Sequence, residues 1–193
     1  MKESAAGVAA EGASGDEELV ERVLKSRDRN SFELIVERYR KPVMTIAYRM
    51  TGDYEGSVEI AQETFIKAWR YLGSYRPDMR FSSWLFKIAA NEARDHAGRK
   101  RRSLEHEISL EDRESGPLES SWQEKTDGAI MVQSLLDELR EPYKTAVILR
   151  FMEDLSYEEI SRIMDCSIEQ VKNYLFRGRK YLLTLAREGS YGQ

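Results

Sequence analysis

Ser156-Tyr157-Glu158-Glu159-Ile160 and Ser167-Ile168-Glu169-Gln170-Val171, two stretches of one form set eleven residues apart, decide how this chain folds. In each, a serine precedes a glutamate or glutamine by three residues, and an apolar run follows. In that arrangement the serine hydroxyl accepts from the third backbone N–H, and the longer side chain bonds back to the serine N–H. Two helix starts so close together predict a short helix, a turn at Asp165-Cys166 and a second helix. Ile160, Ile163 and Met164 line the inner face of the first, and Ile168, Val171, Leu175 and Leu182 that of the second. Gly178 falls on the same stripe, where a missing side chain permits close helix approach. Residues 155–183 therefore read as a helix-turn-helix.

The outer face of the second helix carries Glu169, Gln170, Lys172, Asn173, Arg177 and Lys180, with Ser167 at its start. In a helix-turn-helix this helix enters the major groove and its first residues meet base edges. Gln170 and Asn173 have the amides that pair with adenine, and Lys172 suits guanine or phosphate. Arg177, Arg179 and Lys180 lie further along and suit phosphate.

Upstream, periodicity predicts more helices and no strand. Residues 1–15, rich in Ala, Gly and Ser, read as a disordered tail, with a first helix starting at Asp16 as N-cap. Asn30 with Glu33 resembles a capping box opening a second helix, in which Pro42 marks a kink or break and Gly52 the stop. A third helix runs from about Glu55 to Leu72 with Ala61, Phe65, Ala68, Trp69 and Leu72 on one stripe. A fourth starts at Ser82 or Ser83 and ends in Gly98-Arg99-Lys100-Arg101-Arg102. Pro142 reads as the first residue of another helix.

Charge supports a division into two small all-helical domains, 16–102 and 128–186, followed by a tail at 187–193. The formal net charge is −4, yet residues 76–102 hold 8 basic against 3 acidic residues, and 166–187 hold 5 against 1. Between them, 103–127 carries 8 acidic against 2 basic residues, includes Gly116 and Pro117, and reads as a flexible acidic linker. On the fourth helix Lys87, Asn91, Arg94 and Arg101 form one stripe, flanked by Tyr75, Phe81, Trp84 and Phe86. A basic helix beside aromatic rings suits single-stranded or opened DNA, because unstacked bases lie on aromatic faces. Of these rings Phe81 is the candidate to face DNA.

Other functions find little support. One cysteine, Cys166, excludes an intramolecular disulfide and points to an intracellular protein. His96 and His106 lack partners at metal spacing, so neither a metal nor a cofactor is expected. No phosphate loop occurs and catalytic groups do not cluster, so no enzymatic activity is expected. No apolar run is long enough to insert in a membrane.

An ordered set of motifs resembles one family. These are Gly52-Asp53-Tyr54, Gln62-Glu63-Thr64-Phe65 with Lys67-Ala68-Trp69, Phe81-Ser82-Ser83-Trp84-Leu85 and Asn91-Glu92-Ala93-Arg94-Asp95. They continue with Leu155-Ser156-Tyr157-Glu158-Glu159-Ile160 and Val171-Lys172-Asn173-Tyr174-Leu175-Phe176-Arg177-Gly178-Arg179. Across about 16–183 the chain resembles bacterial RNA polymerase sigma factors of the extracytoplasmic-function (ECF) type. The resemblance implies a region 2 domain that binds core RNA polymerase and the −10 element, and a region 4 domain that binds the −35 element. Glu59, Gln62 and Glu63 would dock the clamp of the β′ subunit, with the β subunit a further partner. Arg80, Phe81, Ser82, Lys87, Asn91, Arg94 and Arg101 would serve the −10 element. Ser167, Glu169, Gln170, Lys172, Asn173, Arg177 and Lys180 would serve the −35 duplex. An anti-sigma factor, often anchored in the membrane, would control an otherwise cytoplasmic protein. The sequence departs from the family where Asp-Ala-Glu-Asp is common and Gly56-Ser57-Val58-Glu59 stands instead, removing two carboxylates from the presumed docking helix. The alternative is a stand-alone helix-turn-helix regulator that dimerises through its N-terminal domain.

Overall fold

The structure, a computed structural model, describes residues 5–106 and 127–190. Its elements are α1 (Ala5–Ser26), α2 (Arg29–Thr51), α3 (Tyr54–Tyr71), a 3-10 turn (Leu72–Ser74), α4 (Phe81–His106), α5 (Asp127–Asp137), α6 (Tyr143–Phe151), α7 (Tyr157–Met164) and α8 (Ile168–Ser190). The chain is all-α, with no strand among the described residues. The acidic linker anticipated at 103–127 falls mostly on residues 107–126, outside the described residues, and α4 runs on into its first four positions.

Three mutually packed helices, α2, α3 and α4, make the N-terminal half, and α1 lies across α2. Asp28 caps α2 by accepting the Asn30 N–H at 3.1 Å and the Ser31 hydroxyl at 2.6 Å. The box anticipated at Asn30 and Glu33 gives way to this earlier cap because one carboxylate reaches two donors at once. Nor does Pro42 end the helix, which spans 23 residues. The missing N–H and ring clash cost roughly 3 kcal/mol. Val43, Ile46 and Ala47 beside it are completely buried, and burying each large side chain returns about 1.5–3 kcal/mol. Gly52 closes α2 at φ 68°, a left-handed conformation that glycine takes without strain. Asp53 then caps α3 by accepting the Gly56 N–H at 3.0 Å.

The N-terminal boundary differs from expectation. α1 begins at Ala5, so Asp16 lies inside the helix and caps nothing. Its carboxylate, 4% exposed, accepts from the Tyr39 hydroxyl and pairs with Arg38. Burial and this anion together push the Tyr39 phenol far above its ordinary range. Residues 5–15 read as a tail because they lack apolar periodicity, but alanine-rich chain extends an existing helix at little cost. At the other end α8 continues to Ser190, past the anticipated limit at 186.

The C-terminal half packs α6, α7 and α8 around Ile148, Leu149, Ile160, Ile163 and Val171. Pro142 is the N-cap of α6, one position before its first helical residue. Gly178 is where a side chain would not fit: an added Cβ would sit 2.9 Å from Val147 Cγ2 and 3.5 Å from Tyr143 Cβ. Gly178→Ala should therefore destabilise the domain, the overpacking of about 1–3 kcal/mol exceeding the helix-propensity gain of about 1 kcal/mol. Thermal melts should show the loss, and adding Val147→Ala should recover part of it.

Between α6 and α7 the chain turns through Glu153, whose carboxyl burial raises from 4.5 to about 7. A raised carboxyl charges in the unfolded chain first, so stability falls as pH rises from about 4.5 through 7. Glu153→Gln should raise the melting temperature at pH 8, by roughly 1–3 kcal/mol of stability, and lose that advantage below pH 5. An equal gain at both pH values would contradict this account.

Candidate nucleic-acid interface

Both anticipated boxes form. Ser156 N–H donates to Glu159 Oε2 at 2.9 Å while Glu159 N–H donates to Ser156 Oγ at 3.2 Å. Ser167 N–H donates to Gln170 Oε1 at 2.8 Å and Gln170 N–H to Ser167 Oγ at 3.2 Å. Between them Asp165 turns the chain at φ 50°, in the left-handed region that aspartate tolerates better than most residues. The box uses the amide oxygen of Gln170, a residue exposed at the start of α8. Glu169, Lys172, Asn173, Arg177 and Lys180 are all exposed on α8. Arg177 donates to the Tyr143 hydroxyl at 3.4 Å, which ties the outer face of α8 back to α6.

On α4, Asn91 accepts from Arg94 Nη1 at 2.9 Å, and Arg94 and Arg101 are exposed. The start of α4 is arranged differently from expectation. Phe81, anticipated in a loop facing DNA, is the first residue of the helix and 2% exposed. It lies among Tyr39, Tyr75 and Trp84, with ring centroids 5.6, 5.6 and 5.7 Å away. Ser82 is buried beside it. The aromatic residues that flank the basic stripe pack on one another, because their combined apolar area is larger than anything water would favour leaving open.

The start of α4 also meets the other half of the molecule. Helix α7 of the helix-turn-helix packs directly on α4. Ser83 Oγ donates to Glu159 Oε1 at 2.9 Å, and Arg80 Nε approaches the same oxygen at 3.8 Å. Lys87 pairs with Asp165, and Arg162 Nη1 donates to the Asp78 carbonyl at 2.7 Å. A second clasp joins α2 to α5: Arg49 Nη1 donates to the Ala129 carbonyl and to Gln133 Oε1, each at 3.2 Å. Arg80 and Lys87 thus spend their charge on α7, and the N-terminal third of α4 lies under the helix-turn-helix. None of Asp78, Ser83, Glu159, Arg162 and Asp165 was flagged by the sequence for this role.

The docking candidates are arranged otherwise. Glu59, Gln62 and Glu63 are exposed on one face of α3, at the i, i+3 and i+4 spacing that brings side chains together. With His96 and Arg99 of α4 they border a shallow polar depression. Nothing described covers it.

These features define a helical DNA-binding protein with a basic helix in one domain and a helix-turn-helix in the other. Comparison with known proteins carries this to a family. The sequence model of Sigma-70 region 2 matches residues 35–103, and that of Sigma-70, region 4 matches residues 129–182. The RNA polymerase sigma-H factor of Pseudomonas aeruginosa is 34% identical over 189 residues, covering 90% of this chain and 96% of that protein. The ECF RNA polymerase sigma-E factor of Escherichia coli is 36% identical over 177 residues, covering 86% and 91%. Among solved structures, CnrH in complex with the cytosolic domain of CnrY superposes with a TM-score of 0.69 at 22% identity, over 90% of this chain and 97% of that one. The sigma factor RpoE, in complex with the anti-sigma factor NepR from Bartonella quintana, gives 0.64 at 22%, over 81% and 96%. The chain belongs to the ECF RNA polymerase sigma factors. Proteins of this family bind core RNA polymerase and promoter DNA and act as transcription-initiation factors.

Glu159 is the group on which the α4–α7 contact turns. Burial alone would raise its carboxyl, but hydrogen bonds from Ser156 and Ser83 and the charge of Arg80 hold it below the usual range. A depressed carboxyl stabilises the fold above its ordinary value of 4.5, and that stability is lost as pH falls through the lower folded value. Glu159→Gln keeps one oxygen for the Ser156 cap but loses the charge that faces Arg80 and turns an NH2, which can only donate, toward Ser83. We predict that this variant retains its helix content and shows a larger radius of gyration in small-angle X-ray scattering. An unchanged radius would show that the contact does not depend on Glu159.

Proposed function

We propose that this chain docks on core RNA polymerase through the open face of α3 and reads a promoter at two points after its halves separate. Glu59, Gln62 and Glu63 would meet the β′ clamp, with the β subunit contacted elsewhere. Asn91, Arg94 and Arg101 would serve the −10 element, joined by Arg80 and Lys87 once α7 has moved away and by Phe81 and Ser82 once the aromatic cluster at the start of α4 also opens. Ser167, Glu169, Gln170, Lys172, Asn173, Arg177 and Lys180 would contact the −35 duplex. The observation that carries this reading is the unequal exposure of the three faces. The docking face and the −35 helix are open, while the start of the −10 helix lies beneath the helix-turn-helix.

In this reading the polymerase supplies the chemistry and the chain supplies the address, working in the cytoplasm. No helix among the described residues is long and apolar enough to cross a membrane. Control by an anti-sigma factor is part of the same proposal. Of the similar solved structures, RpoE is described as bound to the anti-sigma factor NepR. A partner of that kind would hold or cover the closed form and could tether the chain at a membrane.

Promoter-directed transcription with purified core enzyme tests the proposal. Lys172→Ala and Asn173→Ala should each reduce transcription from a −35-dependent promoter by roughly five- to a hundredfold, the 1–3 kcal/mol of a lost base-edge contact. Both should bind core polymerase as tightly as the unaltered chain. Equal loss of core binding in either variant would overturn the assignment of the −35 face.

A further inference from the structure

The helix-capping turn of α3, where the sequence leaves its family's pattern, has a structural counterpart on α4. Gly56 is buried, and a Cβ there would lie 2.6 Å from His96 Cε1 and 3.0 Å from His96 Nε2. It would also lie 3.0 Å from Asp53 Oδ2. The aspartate common at this position therefore cannot coexist with the His96 ring as it is placed.

The ring fills the space that Gly56 leaves and turns its edge to the docking face. Its Nε2 lies 3.8 Å from Glu59 Oε2, while 15% of the His96 side chain is exposed. Its Nδ1 is buried with no hydrogen-bonding partner among the described residues. A buried nitrogen without a partner weakens a fold, and an apolar side chain of similar size would serve the packing better. Behind the ring, Lys100 Nζ bonds the capping carboxylate of Asp53 at 2.8 Å and fixes the start of α3 against α4. The site thus holds an expensive polar group next to the first residue of the exposed Glu59–Gln62–Glu63 face.

We propose that His96, seated on Gly56, is a positioning residue of the polymerase-docking face: it sets Glu59 and the first turns of α3 in the geometry that core polymerase meets. It takes over there from the carboxylates absent from residues 56–59. The inference rests on the assignment of that face to polymerase docking.

The test is titration of the fluorescently labelled full-length chain with purified core RNA polymerase, alongside thermal melts. His96→Leu, which fills the space without a donor, should weaken core binding about tenfold yet melt no lower than the unaltered chain. His96→Gln keeps an N–H near the position of Nε2 and should stay within about threefold. Glu59→Gln should lose a similar factor, and combining it with His96→Leu should add little, as coupled neighbours do. Gly56→Ala, whose Cβ displaces the ring, should weaken binding several-fold and covers the case in which His96→Leu misfolds. Unchanged affinity in His96→Leu or in Gly56→Ala overturns the proposal, as does affinity lost in step with melting temperature in both His96 variants. If Gln62→Ala and Glu63→Ala also bind core normally, the docking assignment itself has failed; if they bind weakly while His96→Leu does not, only the role of His96 has.

Discussion

One oxygen of the Glu159 carboxylate accepts the Ser156 N–H at 2.9 Å, and the other accepts the Ser83 hydroxyl at 2.9 Å with Arg80 at 3.8 Å beyond it. A single group therefore caps the start of the first helix of the helix-turn-helix and clasps that helix to α4. The glutamate that lets α7 exist also decides what α7 covers. The neighbouring contacts between α4 and α7 are arranged around that double use, while Arg49 clasps α2 to α5 elsewhere. Lys87 to Asp165 and Arg162 to the Asp78 carbonyl extend the seam to either side.

Such a seam is strong enough to be occupied and weak enough to be exchanged. The Arg80 side chain is 59% exposed and that of Asp165 73%, and pairs this open contribute roughly 0–1 kcal/mol each. The hydrogen bond from the buried Ser83 contributes about 1–1.5 kcal/mol. A closed form favoured by about 3 kcal/mol would lower apparent promoter affinity by over a hundredfold, without making opening inaccessible to a large partner. Polar seams of this kind also weaken with salt, whereas a purely apolar one would not.

How far the sequence foretold this depends on the range of each contact. The helix-turn-helix was legible because its two boxes span three residues each and report themselves locally. Gly178 was legible as well, since its place on an apolar stripe implies a neighbour, later seen as Val147. Asp16 was misread as a cap because its true partners, Arg38 and Tyr39, stand more than twenty residues away. Phe81 was assigned to DNA because aromatic residues beside basic ones suit either stacking on bases or packing on one another. Pattern alone does not show which contact forms in the free chain, where Phe81 packs on Tyr39 and Tyr75. The seam joins residues 76 to 84 positions apart in sequence, and nothing in a local window marks Glu159 as shared.

The uneven covering of the three faces implies an order of events. The open face of α3 can meet a partner while α7 still lies on α4, so docking and opening are separable steps. Linkage then requires that whatever opens the seam bind the open form better than the closed one, by at least the free energy that holds it closed. Promoter DNA alone would have to supply all of it from contacts to α4 and α8. A polymerase that engaged both halves at separate sites would supply it before DNA arrives, because a fixed spacing between those sites would disfavour the closed form. An inhibitor faces the opposite and easier task. It need not cover every reading face, since binding across α4 and α7 adds its own affinity to a contact that Glu159 has already made.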